Sequence, residues 1–282
     1  MHYLALLHVY YEDQLADLLR VVTNLQQTVR QPVEVVATYP SSRPALAAQT
    51  PSFAGEIRTV ATPDYGKDIA PFLRVLQQAC LDHPREEVVC LKLHTKRSSH
   101  ATGVHATFGD TWRNTLLQGL GEPSAVAAHL SALATANVGA SGVCPYLVQG
   151  EEARNAALLA VYRERLHIHP EACNGFYAGS MFYFKLAAYR TQLRDWFAST
   201  QAYLQCEPGD VRDAQQGTHT HSWERLLGWL VRNVGYDLAA PVDLTEAVTQ
   251  TQPLEQQPDW MRVAAGCRLL EAPQPFFTHR LR

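Results

Sequence analysis

The stretch Val88-Val89-Cys90-Leu91-Lys92-Leu93-His94-Thr95-Lys96 constrains the fold more than any other segment. It opens as an apolar run, the pattern of a strand covered on both faces, and turns polar without losing strand periodicity. Side chains alternate across a strand, so Lys92, His94 and Lys96 share one side. An ammonium buried without a partner is costly. Such a strand needs an anion over it, either a protein carboxylate or a ligand phosphate. An edge strand with its lysines in water is the other solution. The Val and Cys run favours a central strand, and central strands of open α/β sheets carry ligand chemistry at their C-terminal ends.

Around this segment, strand and helix patterns alternate. Tyr3 to Tyr10, Val33 to Thr38, Ile57 to Val60, Val88 to Leu93, Gly139 to Pro145 and Phe176 to Phe184 read as strands. Glu12 to Leu25, Asp68 to Cys80, Trp112 to Leu120, Pro123 to Ala136, Asn155 to Leu166, Lys185 to Phe197 and Ser222 to Val234 read as helices. Repeated β-then-α at short spacing predicts an α/β fold: a mostly parallel central sheet with helices on both faces. Residues 1–244 form the main unit, 1–110 being a nucleotide-binding-like half and 111–244 a less regular second half. Beyond Tyr236 the chain becomes Pro- and Gln-rich, which sets 245–282 apart as a C-terminal extension, with one more helix over Trp260 to Leu270.

Hydrophobic residues make up 46% and charged residues 18%, so a core is feasible. The net charge of −3 carries no basic excess for nucleic acid. No window reaches the roughly 18 apolar residues of a membrane span. Met1-His2-Tyr3-Leu4 has no basic leader and reads as a first strand. The six cysteines are scattered without a C-x-x-C pair, as expected of buried free thiols in a cytoplasmic protein. Trp260, Met261, Phe276 and Phe277 could touch the inner face of a membrane, but no basic amphipathic helix accompanies them, which favours packing back.

Four clusters could carry chemistry. In Asp64-Tyr65-Gly66-Lys67-Asp68, glycine permits close backbone approach beside a helix start that attracts anions; Asp68 is either an N-cap or a ligand contact. The strand end bearing Lys92, His94 and Lys96, continued by Arg97, Ser98, Ser99 and His100, could stabilise a departing diphosphate by charge-assisted hydrogen bonds. The chain contains no D-x-D, so a mechanism without a metal cofactor is the reading. Asn174 to Phe184 offers aromatic faces and two glycines, suited to a sugar or to a core strand with tight bends. In His219-Thr220-His221-Ser222-Trp223-Glu224, His221 and Glu224 share a helix face. Glu224 could be a general base; His219, His221 and Glu224 could hold a metal in a hydrolase; or Glu224 is an ordinary first-turn carboxylate. His167 and His169 are expected on the surface. Asp110 or Thr111 could cap the helix that carries Trp112 and Arg113.

In this order, Gly66-Lys67-Asp68-Ile69-Ala70-Pro71-Phe72, Lys92-Leu93-His94-Thr95-Lys96-Arg97-Ser98, Gly109-Asp110-x-Trp112-Arg113, Ala178-Gly179-Ser180-Met181-Phe182 and His221-x-x-Glu224-Arg225-Leu226-Leu227-Gly228 resemble the rhamnan synthesis protein F family. The resemblance covers roughly Leu4 to Tyr236. It implies a GT-A-like glycosyltransferase that moves rhamnose or a related sugar from a nucleotide-diphospho donor to a growing polysaccharide or lipid-linked glycan. It further implies Glu224 as base, with Asp110 second. His8, Thr38, Gly66, Lys67, Asp68, Lys92, His94 and Lys96 would serve the donor, and Gly179, Ser180, Trp112 and His221 the acceptor side. The family's usual Arg in the G-x-D-I segment is Lys67 here, which keeps the charge and loses the bidentate fork. A catalytically silent glycan- or nucleotide-binding partner in polysaccharide assembly is the reading from another class.

Overall fold

The computed structural model describes residues 1–43, 53, 55–97, 104–144, 147–148, 155–200, 205–208 and 217–244, with backbone alone for 104–110 and 194–200. The elements are β1 (His2–His8), α1 (Leu15–Val29), β2 (Glu34–Pro40), β3 (Ile57–Thr62), α2 (Ile69–Asp82), β4 (Val88–His94), α3 (Val104–Gly121), α4 (Pro123–Ala134), β5 (Val138–Val143), β6 (Leu147–Val148), α5 (Ala156–Arg165), β7 (Phe176–Tyr177), β8 (Phe182–Lys185), α6 (Ala187–Thr200), α7 (His219–Asn233) and β9 (Asp237–Val242).

Seven described strands form one sheet in the order β3-β2-β1-β4-β8-β5-β9. β1 pairs in parallel with β2 and β4, β2 with β3, and β5 with β9. β8 lies antiparallel between β4 and β5. The α/β architecture and mostly parallel sheet expected from the sequence are therefore present. β4 is central, and all seven of its residues are buried. Strand alternation divides the core. Leu4, Leu6 and Cys90 pack with residues of α2, α5, α6 and α7; Ala5, Leu7, Leu91 and Leu93 pack with α1, α3 and α4. Lys92 shares the face of Cys90, beneath α2.

Four details depart from the sequence expectation. Phe176 to Phe184 is not one strand. β7 pairs with β6 in a separate ribbon, and β8 joins the main sheet. Between them Ser180 N–H donates to Tyr177 O (2.9 Å), and Gly179 (φ 82°) and Ser180 (φ 48°) are both left-handed. Glycine at the third turn position permits that reversal. Second, α3 begins at Val104, so Asp110 lies within it and does not cap it. Third, β9 adds an edge strand where the sequence reads as irregular; an edge tolerates Pro241 because that position need not donate to a ladder. Fourth, the ends of several elements move: α1 follows a 3₁₀ turn at Glu12–Gln14, and α7 starts at His219. The extension 245–282, with the expected helix over Trp260 to Leu270, lies outside the described residues. Cys80, Cys90, Cys173 and Cys206 are buried free thiols and His167 and His169 are exposed, as expected, while Cys144 is a half-buried free thiol. No helix among the described residues is long and apolar enough to cross a membrane.

Helix α7 lies almost backbone to backbone on β7. A Cβ at Gly228 would collide with Gly175 O and stand 3.0 Å from Phe176 Cα. Arg225, three residues earlier, stacks 4.6 Å over the Phe176 ring. Backbone atoms cannot rotate away as a side-chain tip can, so the helix must retreat if the glycine gains a methyl. Gly228→Ala is expected to lower stability by about 1–3 kcal/mol despite alanine's better helix propensity, read by urea denaturation. A gain in stability instead would mean that the close approach is slack.

His129 is fully enclosed. Its Nε2 donates to Gly119 O (2.9 Å), so Nδ1 accepts the Ser141 hydroxyl (2.8 Å), and its ring stacks on Tyr183. Burial, opposed by the Gly119 bond, lowers its pKa from 6.5 to about 4. Burial lowers His8 likewise, to about 4. Between these limits the unfolded chain holds protons that the folded one does not. Stability is therefore full above pH 6.5 and falls as pH drops from 6.5 toward 4. Denaturation midpoints across that range should show the decline, and His129→Gln should make it shallower.

Candidate active site

The registers place Thr38, His8 and His94 opposite one another across β2, β1 and β4 at their C-terminal ends. This polar row closes the α2 face of the sheet. His8 Nδ1 lies 3.0 Å from Thr38 Oγ1, and Thr38 gives its own proton to Leu7 O (3.0 Å). Nδ1 of His8 is therefore the donor. Both residues are buried, so they form the floor at this end of the sheet and bond to each other. Burial also holds His94 well below its ordinary pKa, against the pull of the Asp68 charge, leaving a neutral imidazole at neutral pH.

Lys92 is 1% exposed. Its Nζ donates to Asp68 Oδ2 (2.7 Å) and to Ser180 Oγ (3.0 Å), and lies 5.0 Å over the Phe72 ring. Ser180 in turn donates to the same Asp68 oxygen (2.7 Å), and His94 Nδ1 is 3.4 Å from it. The anion demanded by the strand is thus a protein carboxylate. Asp68 occupies the N-cap position of α2 but makes no capping bond. Burial opposes its charge; the electrostatic pull of His94 and of the Lys92 ammonium, with the hydrogen bonds from Lys92 and Ser180, outweighs burial and holds the carboxyl well below the usual range. Strand β4, the start of α2 and the β7–β8 turn therefore meet at one carboxylate oxygen.

Glu224 approaches from the other side. It lies one helical turn before Gly228, so the close contact of α7 with β7 carries it to the same turn. Its Oε1 accepts Gly179 N–H (2.7 Å), and its Oε2 lies 3.3 Å from Arg225 Nη1. Adjacent residues of one turn, Gly179 and Ser180, thus join Glu224 to Asp68. Trp112 packs over this turn: a Cβ at Gly179 would meet Leu116 at 3.0 Å and Trp112 at 3.2 Å. Lys96, past the end of β4, holds its ammonium 4.1 Å from the Trp112 ring centroid.

Of the residues singled out from sequence, Asp68, Lys92, His94, Gly179, Ser180 and Glu224 are brought together, with Lys96 and Trp112 alongside. Gly66 has another use. Its missing Cβ makes room for Cys206, which would stand 2.5 Å away, so the close approach is to the protein itself. Lys67 is exposed and left-handed (φ 52°). His221 Nδ1 is bonded to Thr218 Oγ1 (2.6 Å) at the α7 cap, and His219 Nδ1 to Tyr162 OH (2.7 Å). No group of three metal-ligating His, Cys, Asp or Glu side chains exists among the described residues. The Asp110 side chain and Ser98, Ser99 and His100 lie outside the described residues.

Two contributors were missed. Thr95 Oγ1 accepts both Tyr10 N–H (2.8 Å) and Tyr11 N–H (3.1 Å), tying the exit of β1 to the end of β4. Glu207 receives the first N–H groups of α7. Each acts across a distance in the chain that no local pattern marks, although the alternation that flags Lys96 also passes through Thr95.

Removing the carboxylate would leave the Lys92 ammonium buried without its counter-ion. Asp68→Ala is expected to cost about 3–5 kcal/mol in urea denaturation. Adding Lys92→Met to that variant should recover most of the loss, because an apolar pair replaces the ion pair. No recovery would show that the pair is not the source of the cost.

Residues 2–142 match the family model described as rhamnan synthesis protein F. That segment carries Asp68, Lys92 and His94, while Ser180 and Glu224 lie beyond it. No curated protein matches the chain. Among solved structures, a galactosyltransferase in complex with donor and acceptor sugar analogues is similar at a TM-score of 0.37 and 11% identity, over 83% of this chain and 73% of that one. The family match spans half of the chain and contains two of the three elements that meet at the buried carboxylate: the chain belongs to the rhamnan synthesis protein F family.

Proposed function

We propose that the chain is a glycosyltransferase. It moves a sugar, rhamnose or a related deoxy or furanose sugar, from a nucleotide-diphospho donor to a cell-surface polysaccharide or lipid-linked glycan, with inversion and without a bound divalent metal. Its place of work is the cytoplasm, at or near the inner face of the cell membrane. The observation that carries the reading is the convergence of Asp68, Ser180 and Glu224 at the C-terminal end of β4, in a chain of a rhamnan-synthesis family.

In this reading the acceptor hydroxyl lies beside Glu224. Glu224 Oε2 takes its proton as the oxygen bonds to the anomeric carbon, and the bond from that carbon to the diphosphate oxygen breaks with its electrons. Asp110 is the second candidate for the base. Lys96 is the cation offered to the departing diphosphate. Lys92 and His94 act from beneath: the charge of Lys92 is matched by Asp68, so their part is to fix that carboxylate and Ser180 in place. The Gly179–Ser180 turn, under Trp112, borders the transferred sugar or acceptor.

The second reading, a glycan- or nucleotide-binding partner without turnover, draws on the same pairing, because a neutralised Lys92 lends less charge to a leaving group. Calorimetric titration with uridine, thymidine and guanosine diphosphates, with Mn²⁺ and with chelator, tests donor binding and metal independence together. Affinity that appears only with Mn²⁺ would contradict the metal-free mechanism. Glu224→Gln is expected to lower turnover by about 10²–10⁴-fold while donor affinity stays near wild type. Unchanged turnover would remove Glu224 as base, and wild-type donor binding with no transfer would favour the binding partner.

A further inference from the structure

We infer that Glu207 is a positioning residue for this site: it ties the start of α2 to the start of α7 and so sets where Asp68 and Glu224 stand relative to the Gly179–Ser180 turn. This rests on the reading of those residues as the working site, and it adds a residue that neither the motifs nor the family match include.

The backbone and the side chain of Glu207 hold different helices. Its carbonyl accepts Gly66 N–H (2.6 Å), two residues before Asp68, and Tyr65 forms a bridge with Pro208. Gly66 O then accepts Ile69 N–H (2.9 Å), the first residue of α2. The carboxylate accepts His219 N–H at Oε1 (2.6 Å), and Thr220 N–H (3.1 Å) and Thr220 Oγ1–H (2.8 Å) at Oε2. These are donors of the first turn of α7, where orphan N–H groups and the helix dipole both favour a carboxylate. Thr218 at the N-cap takes a further one, His221 N–H (3.1 Å). Cys206, adjacent and buried, fills the space left by the absent Gly66 side chain.

One residue therefore spans two helix N-termini, and each helix delivers one carboxylate to the shared turn. Asp68 directly precedes α2, and Glu224 lies in the second turn of α7. Gly228 limits how close α7 comes to β7, while Glu207 limits how far its N-terminal end can swing from α2. A change in that span shifts Glu224 from Gly179 without touching the core of the sheet.

The test uses the full chain carrying Glu207→Ala and, separately, Thr220→Val. The second removes a single hydroxyl from the carboxylate and is the milder change should the first impair folding. The primary readout is amide hydrogen exchange at Gly179, measured against Leu4 to Leu7 in β1, and it does not depend on any activity. Exchange at Gly179 should rise at least about tenfold in Glu207→Ala, and by less in Thr220→Val, with the β1 amides unchanged. Turnover of nucleotide-diphospho-rhamnose by Glu207→Ala should fall by about 10²-fold with donor KM unchanged, as a misplaced catalytic group requires. Unchanged Gly179 exchange in both variants overturns the inference. So does equal acceleration at Gly179 and in β1 in both, because that marks a general loss of stability. If the wild-type chain transfers no sugar, the proposed function fails, and the exchange result still decides the role of Glu207.

Discussion

The ammonium of Lys92 lies inside the central strand of the sheet, and its counter-ion comes from another element. A charge in that position must be matched within hydrogen-bond reach or the strand cannot stay buried. Asp68 supplies the match at 2.7 Å, and Ser180 binds both groups. The start of α2 is held over β4 by this requirement, and the reversal between β7 and β8 is held beside it. A buried ion pair adds little net stability compared with a well-packed apolar pair. Its effect here is geometric: three segments far apart in the chain share one oxygen atom.

The second constraint is steric. α7 can bring Glu224 to Gly179 because Gly228 has no side chain to keep the helix away from β7. Left-handed backbone at Gly179 and Ser180 turns the connecting loop so that one residue faces Glu224 and the next faces Asp68. Non-glycine residues adopt that conformation only when their surroundings hold it. Ser180 is held through its hydroxyl, which donates to Asp68 and accepts from Lys92.

Electrostatically the end of the sheet is quieter than its sequence. Lys92, His8 and His94 lie side by side, yet one cation is neutralised by Asp68 and burial keeps both imidazoles uncharged at neutral pH. This makes a low-dielectric floor on which Asp68 stays ionised. Lys96, past the end of β4, holds its ammonium over the Trp112 ring.

Much of the architecture was legible from local pattern, because an apolar run and a helical period each report which side of an element is covered. The burial of Val88 to Leu91 and the amphipathic helices follow from that; the segments around Asp68, Lys92, Ser180 and Glu224 were marked by the chemistry of their side chains and by resemblance to the family. The sequence also required an anion for Lys92 without naming it. Tertiary structure alone decided that the anion is Asp68, that Gly66 makes room for Cys206, and that Phe176 to Phe184 breaks into strands of two sheets. It alone decided that Glu207 reaches two helices. Pattern records how a residue relates to its neighbours along the chain, whereas a hydrogen bond or a steric contact between distant residues depends on where the whole chain comes to rest.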